Sequence, residues 1–179
     1  GLERLSAAGG DLRRISSVAS FFVSRVDTLV DQMLQSRSGD LRELQGKAAV
    51  ANSKLSYVRV KQLFAGDRWE RLAAQGARVQ RPLWASTSTK NPALSDVVYV
   101  EELLGPTTVN TVPPQTLDAF RDHGKASLTI TRGLEKAQLF FVELEAAGIS
   151  MQQVAQELEE EGVKSFADSF TALLAAIED

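Results

Sequence analysis

Cysteine is absent from the 179 residues, and histidine occurs once, at His123. The first absence excludes disulfides, thiol nucleophiles and thiolate metal sites, and it fits a cytoplasmic setting. A single histidine, with no clustered carboxylates at strand ends, leaves metal ligation without support. Gly-x-Gly-x-x-Gly and the Walker loop are missing, so nucleotide binding through those motifs has no support. No apolar run reaches the roughly 18 residues that would span a bilayer. The start, Gly1-Leu-Glu-Arg-Leu, is charged and amphipathic, unlike a signal peptide. Excess basic charge is also missing. Twenty Lys and Arg face 23 Asp and Glu, the net charge is −3, and Lys47, Lys54, Arg59 and Lys61 are scattered rather than patched. That balance argues against nucleic acid or anionic membrane as a partner. Internal repeats and low-complexity stretches do not occur.

What is present suits one domain, residues 1–179, with 44% hydrophobic content. Three segments read as buried strands, at about 16–23, 82–86 and 107–111, because they are short, β-branched or aromatic, and bounded by turn residues. They alternate with amphipathic segments at 28–35, 44–64, 68–75, 99–104, 114–122, 131–147 and 150–177. Strand, helix and strand in succession predict a parallel sheet, so the fold class is α/β. Asp67 is positioned as a helix cap and Pro114 for a first helical turn. Gly162, beside the acidic block Glu157–Glu161, is a candidate break in the last helix. Phe166, Phe170, Leu173, Leu174 and Ile177 read as a core stripe on it. Leu2, Leu5 and Ala8 form one face of an opening helix that needs a surface to pack on, and the chain reads as part of a longer protein.

In parallel sheets and barrels chemistry gathers at the carboxyl ends of the strands. Ser20 and Arg25 lie at the end of the first strand, and Ser86, Ser88, Lys90 and Asn91 at or beyond the end of the second. Hydroxyls and amides bind sugar hydroxyls, while Arg and Lys bind phosphate, Arg bidentately. These residue types together point to an anion or sugar site. Trp84, Ser86, Ser88 and Lys90 share one parity, so that if Trp84 faces a barrel lumen the others can follow. The plainer role for Arg25 is a surface ion pair with Asp27. For His123, beside a helix-ending glycine, it is a partner of the helix dipole.

Four blocks then resemble a known family: Ser17–Asp27 (SVASFFVSRVD), Arg81–Pro92 (RPLWASTSTKNP), Val97–Pro113 (VVYVEELLGPTTVNTVP) and Glu161–Phe166 (EGVKSF). They are similar to the C-terminal half of bacterial transaldolases, along nearly the whole chain. The resemblance implies half of a (β/α)8 TIM barrel, with the three strands as its sixth to eighth and the N-terminal half absent. It implies transfer of a dihydroxyacetone unit from sedoheptulose 7-phosphate or fructose 6-phosphate to an aldose phosphate, in the pentose phosphate pathway. The reaction runs through a lysine Schiff base without metal or organic cofactor. Ser20 and Arg25 match the family's sixth-strand serine and phosphate-binding arginine, and Ser86 matches its seventh-strand serine. Ser88 falls where many members carry a second phosphate-binding arginine, and Lys90 is the candidate replacement. The family's Schiff-base lysine lies on the fourth strand. Of seven lysines here only Lys90 is at a strand end, so no catalytic residue is expected in this chain.

Two classes therefore compete. One is an enzyme part that supplies phosphate- and sugar-binding groups and is inactive alone. The other is a non-enzymatic, α-rich module that binds a sugar phosphate or serves assembly. An open half-barrel leaves unpaired strand edges, which also predicts association with the missing half or a homo-oligomer.

Overall fold

The computed structural model describes residues 1–178; residue 179, the last of the expected domain, lies outside them. Three parallel strands form one open sheet: β1 (Val18–Phe22), β2 (Arg81–Ala85) and β3 (Val109–Asn110), in the order β1-β2-β3. Ser20 is in register with Leu83 and Phe21 with Trp84; Leu83 and Trp84 are in register with Val109 and Asn110. β1 and β3 are shorter than the sequence predicts, while β2 keeps its expected length and starts one residue earlier. At the carboxyl end of β1 the chain turns directly into helix α2 (Val23–Gln35) with no loop between them. β3 is cut to two residues because Thr107 lies at φ 60°, in the left-handed region, and the Thr108 hydroxyl folds back onto the Gly105 carbonyl.

Side chains alternate across the sheet. Phe21 and Trp84 point to one face, where they pack 5.5 Å apart between ring centres against the helix-side core. Val18, Ser20 and Phe22 point to the other face, which is open. Helix α2 buries Val23, Val26, Leu29, Val30 and Leu34 on one stripe. It packs against α3 (Ala48–Leu63), whose Ala48 and Ala49 are fully buried and let the two backbones approach closely. Helix α3 begins later than the sequence suggests, because Arg42–Leu44 form a separate 3-10 turn. Helix α4 (Asp67–Ala73) starts at Asp67 itself, so Asp67 is not its cap; Gly66, at φ 78°, occupies the preceding position. The opening helix α1 (Leu2–Ala7) finds its surface on α4, where Arg68 forks onto Glu3 through two 2.7 Å bonds.

The second half continues with α5 (Val98–Glu101), α6 (Pro114–His123) with Pro114 at its first position, α7 (Leu134–Ala146) and α8 (Met151–Glu178). Helix α7 places Ala137, Phe140 and Leu144 in the core facing α3. Helix α8 runs unbroken through Gly162. One glycine costs about 1 kcal/mol relative to alanine, too little to stop a helix rich in Glu, Leu and Ala. Its first half packs through Met151, Val154 and Leu158. Its second half does not. Phe166 is 68% exposed, Phe170 61% and Ile177 71%, so the expected core stripe is an open apolar face. Three parallel strands in one open sheet, alternating with covering helices, fit an α/β segment of a (β/α)8 barrel.

One buried charge ties the helical layer together. The Lys54 side chain on α3 is 7% exposed; its Nζ donates to Glu102 Oε2 at 2.6 Å and to the Arg132 carbonyl at 3.1 Å. Lys54→Met keeps the stem and removes the charge, while Glu102→Ala strands a buried ammonium. Urea unfolding should therefore rank Glu102→Ala as the worse change, at about 2–3 kcal/mol against about 1–2 for Lys54→Met. The reverse order would mean that the Arg132 carbonyl, rather than Glu102, is the main partner of the ammonium.

Candidate functional site

A strand that turns straight into a helix leaves its last side chains and the first helical turn around one space. At the end of β1 this space is a cavity of about 680 Å³, lined by Ser20 and Phe22 of the strand, Arg25 of α2, Asn52 of α3, and Glu159 and Phe166 of α8. Arg25 sits in the first turn of a 13-residue helix, where the dipole favours an anion. Its guanidinium carbon lies 4.7 Å from the centre of the Phe22 ring, a cation–π contact that fixes the approach of the planar fork. Among the described residues Arg25 has no carboxylate within ion-pair distance.

The Arg25–Asp27 ion pair, the plainer role for Arg25, is absent for a clear reason. Asp27 lies two residues on, on the opposite side of the helix, and is 3% exposed. Its Oδ1 accepts the Ala49 N–H at 2.7 Å and its Oδ2 accepts the Tyr99 hydroxyl at 2.6 Å. Asp27 thus joins the first turn of α2 to the start of α3 and to α5. Burial raises its carboxyl above the ordinary range, opposed by the Tyr99 and Ala49 hydrogen bonds. Burial and the Asp27 charge push the Tyr99 hydroxyl well above its ordinary value. Asp31, one turn further along α2, is also raised by burial; its Oδ1 accepts the Gly46 N–H at 2.9 Å, which opposes the rise.

The second strand ends differently. Trp84 packs into the helix-side core, so the parity argument that would carry Ser86, Ser88 and Lys90 into a lumen behind it does not hold. The strand stops at Ala85, and Ser86 takes φ 56°, which breaks the alternation. A serine in the left-handed region is uncommon and locally strained. The Ser86 carbonyl accepts the Ser24 N–H at 3.0 Å, which ties the end of β2 to the first turn of α2. Thr87 is fully buried, and its hydroxyl donates to Asn110 Oδ1 at 2.9 Å. Ser88 is half-buried and Lys90 is exposed. The Asn91 carboxamide is engaged within the chain, its Oδ1 accepting the Ala93 N–H at 2.9 Å. Of the six candidates, then, Ser20 and Arg25 share the cavity. Ser86, Ser88, Lys90 and Asn91 belong to the adjoining β2 loop.

Sequence reasoning missed Phe22, Asn52, Glu159 and the buried anchor Asp27. Phe22 was within reach of it: it shares Ser20's parity and stands three residues before Arg25. Asn52 and Glu159 arrive from distant helices and leave no local signal. His123 is exposed and bonds Asp96 and Asp122, the Asp96 contact foremost in raising its pKa, and it approaches neither Ser20 nor Ser86. Among the described residues no three His, Asp or Glu side chains converge as a metal site requires. Among them, too, no helix is long and apolar enough to cross a membrane.

Against known proteins, a model of the family described as transaldolase/fructose-6-phosphate aldolase matches residues 4–177. The chain belongs to the transaldolase/fructose-6-phosphate aldolase family. It is 51% identical to a transaldolase of Parafrankia sp. (strain EAN1pec), with 100% of this chain and 49% of that protein aligned. It is 51% identical to a transaldolase of Acidothermus cellulolyticus, with 99% and 48% aligned. It is 49% identical to transaldolase 1 of Streptomyces avermitilis, with 99% and 47% aligned. The chain spans about half the length of the curated relatives it matches.

Proposed function

We propose that this chain is the C-terminal half of a (β/α)8 transaldolase, giving the sixth to eighth strands and the phosphate side of the substrate site. The observation that carries this reading is identity near 50% along the whole chain to transaldolases, combined with Ser20 and Arg25 meeting in one cavity at a strand's carboxyl end. The completed enzyme transfers a dihydroxyacetone unit from sedoheptulose 7-phosphate or fructose 6-phosphate to an aldose phosphate through a lysine Schiff base, in the cytoplasm. In that enzyme Arg25 binds the phosphate dianion with its fork, helped by the first turn of α2. Ser20 hydrogen-bonds a sugar hydroxyl from the open face of β1. Ser86, Ser88 and Lys90 form the neighbouring polar rim, with Lys90 as the second cation. Asn91 holds that loop in place.

The nucleophile comes from the other half of the barrel. A Schiff-base lysine needs its ammonium destabilised by desolvation or nearby cations. Lys54 is buried but is paired with Glu102 behind the sheet, and Lys90 is exposed. The chain alone is therefore expected to show no transaldolase activity, and borohydride with fructose 6-phosphate should trap no adduct on it. Mixed with the other half, the trapped adduct should appear on that half. An adduct on Lys90, located by mass spectrometry, would reassign the nucleophile to this chain.

A further inference from the structure

A second cavity, of about 660 Å³, lies in the helical layer where α3, α5 and the start of α7 meet. It has no lining residue in common with the Arg25 cavity. Helix α3 is a wall of both: Asn52 and Ser53 line the first, Ala51 and Lys54 the second.

Four cationic side chains line this second cavity: Lys47 and Lys54 at and along α3, Arg132 just before α7, and Lys136 on it. One carboxylate, Glu102, opposes them, and Lys54 takes it. Four cations against one carboxylate leave a net charge of +3, in a chain whose own net charge is −3. Among the described residues none of Lys47, Arg132 and Lys136 has a carboxylate within ion-pair distance. The sequence scatters these four residues, and the packing of α3 on α7 gathers them.

Lys54 makes this more than a group of surface lysines. Its side chain is 7% exposed, and its Nζ gives two of three N–H donors to Glu102 and the Arg132 carbonyl. Among the described residues nothing accepts the third. Val50, Val98 and Phe140 form an apolar wall behind the charges. Low-dielectric walls around charges of one sign focus the field, so the cavity attracts an anion more strongly than a flat surface with the same charge would. The cations are also spread out. Lys47 and Lys54 are seven residues apart, about 10 Å along α3. A single phosphate meets only part of such an array, while linked phosphates meet its length. The volume is that of a small-molecule site.

We propose that this cavity binds a polyphosphate, an anion of two or more linked phosphates, either free or as the tail of a nucleotide. Lys54 is the fixed cation at its wall, and Lys47, Arg132 and Lys136 close on the charge from the rim. Ser20 and Arg25 take no part.

The test is calorimetric titration of the whole chain with inorganic tripolyphosphate at low salt. The wild-type chain should bind one equivalent, and orthophosphate at least about 10-fold more weakly. Arg132→Ala/Lys136→Ala removes two exposed cations, so the melting curve should hold while Kd rises about 10-fold or more. Arg132→Gln/Lys136→Gln keeps more of the stems and should show the same loss. Arg59→Ala/Lys61→Ala takes equal charge from exposed positions on α3 outside the cavity, and Arg25→Ala takes the cation of the other cavity. Both should bind as wild type does. A wild-type Kd weaker than about 1 mM overturns the proposal. So does equal loss in the Arg59/Lys61 variant, loss with Arg25→Ala, or orthophosphate binding as tightly as tripolyphosphate. A single-stranded RNA that binds more tightly than tripolyphosphate and is weakened by the Arg132/Lys136 changes overturns it too, because the cluster would then belong to a longer phosphate track. Titration with ATP separates the sources: tighter binding than tripolyphosphate assigns the site to a nucleotide, equal or weaker binding to a free polyphosphate. Failure here leaves the proposed function untouched, since the substrate residues lie in the other cavity.

Discussion

Replacing Arg25 by alanine, in the chain joined to its other half, is expected to lower kcat/KM for fructose 6-phosphate by about 10- to 100-fold. The structure sharpens the reason. Arg25 has no ion-pair partner among the described residues, stacks on Phe22, and faces a cavity beside a helix N-terminus. A guanidinium held that way has its fork available for a phosphate dianion. Lysine at this position should restore only part of the loss, since it is a point charge without the planar fork. An unphosphorylated ketose donor should show a much smaller loss, because it has no phosphate to lose. Phe22→Leu should move in the same direction as Arg25→Ala by a smaller factor, as it removes the stacking face and keeps the charge. The melting temperature should hardly change with Arg25→Ala, because no folded-state pair is broken. An unchanged kcat/KM with a lowered melting temperature would make Arg25 a structural residue and remove it from the site.

The elements the sequence made legible are those set by local pattern. The β-branched runs gave the three strands and their parallel order, and Pro114 marked the first turn of α6. Ser20 and Arg25 were legible because a strand end followed at once by a helix confines them to one place. Where the reading failed, a distant residue or an unusual dihedral decided the outcome. Ser86 and Thr107 adopt left-handed backbone angles that no propensity for serine or threonine predicts, so parity beyond Ala85 carried no information. Asp27 was weighed as a surface partner of Arg25 because the two stand two residues apart in sequence. Its real partners are 22 and 72 residues away. The stripe on α8 was read correctly as apolar and wrongly as core, because periodicity identifies a face that needs covering without saying what covers it.

Asp27→Ala is expected to destabilise the chain strongly. It leaves the Ala49 N–H and the Tyr99 hydroxyl buried without a partner, at about 1–3 kcal/mol for each group, or about 3 kcal/mol or more together. For a chain of this size that lowers the melting temperature by roughly 6–12 °C. Tyr99→Phe removes one bond of the two and should cost less. Asp27→Asn separates the hydrogen bonds from the charge. Its oxygen still accepts from Ala49, its amide can donate to the tyrosine oxygen, and it carries no ionisable proton. The pH dependence follows from burial, which raises Asp27 above the ordinary carboxyl value of 3.8. Between that value and the raised one, the unfolded chain has released its proton while the folded chain still holds it. The unfolded state then binds fewer protons, so the Asp27 contribution to stability falls as pH rises through this window. Wild type should therefore lose stability relative to Asp27→Asn as pH climbs from about 4, leaving the asparagine variant equal or more stable at neutral pH. Urea unfolding of the two proteins at several pH values measures the difference directly. If wild type instead gains stability relative to Asp27→Asn as pH rises from about 4, the carboxylate charge is favoured in its pocket and the assigned direction of its shift is wrong.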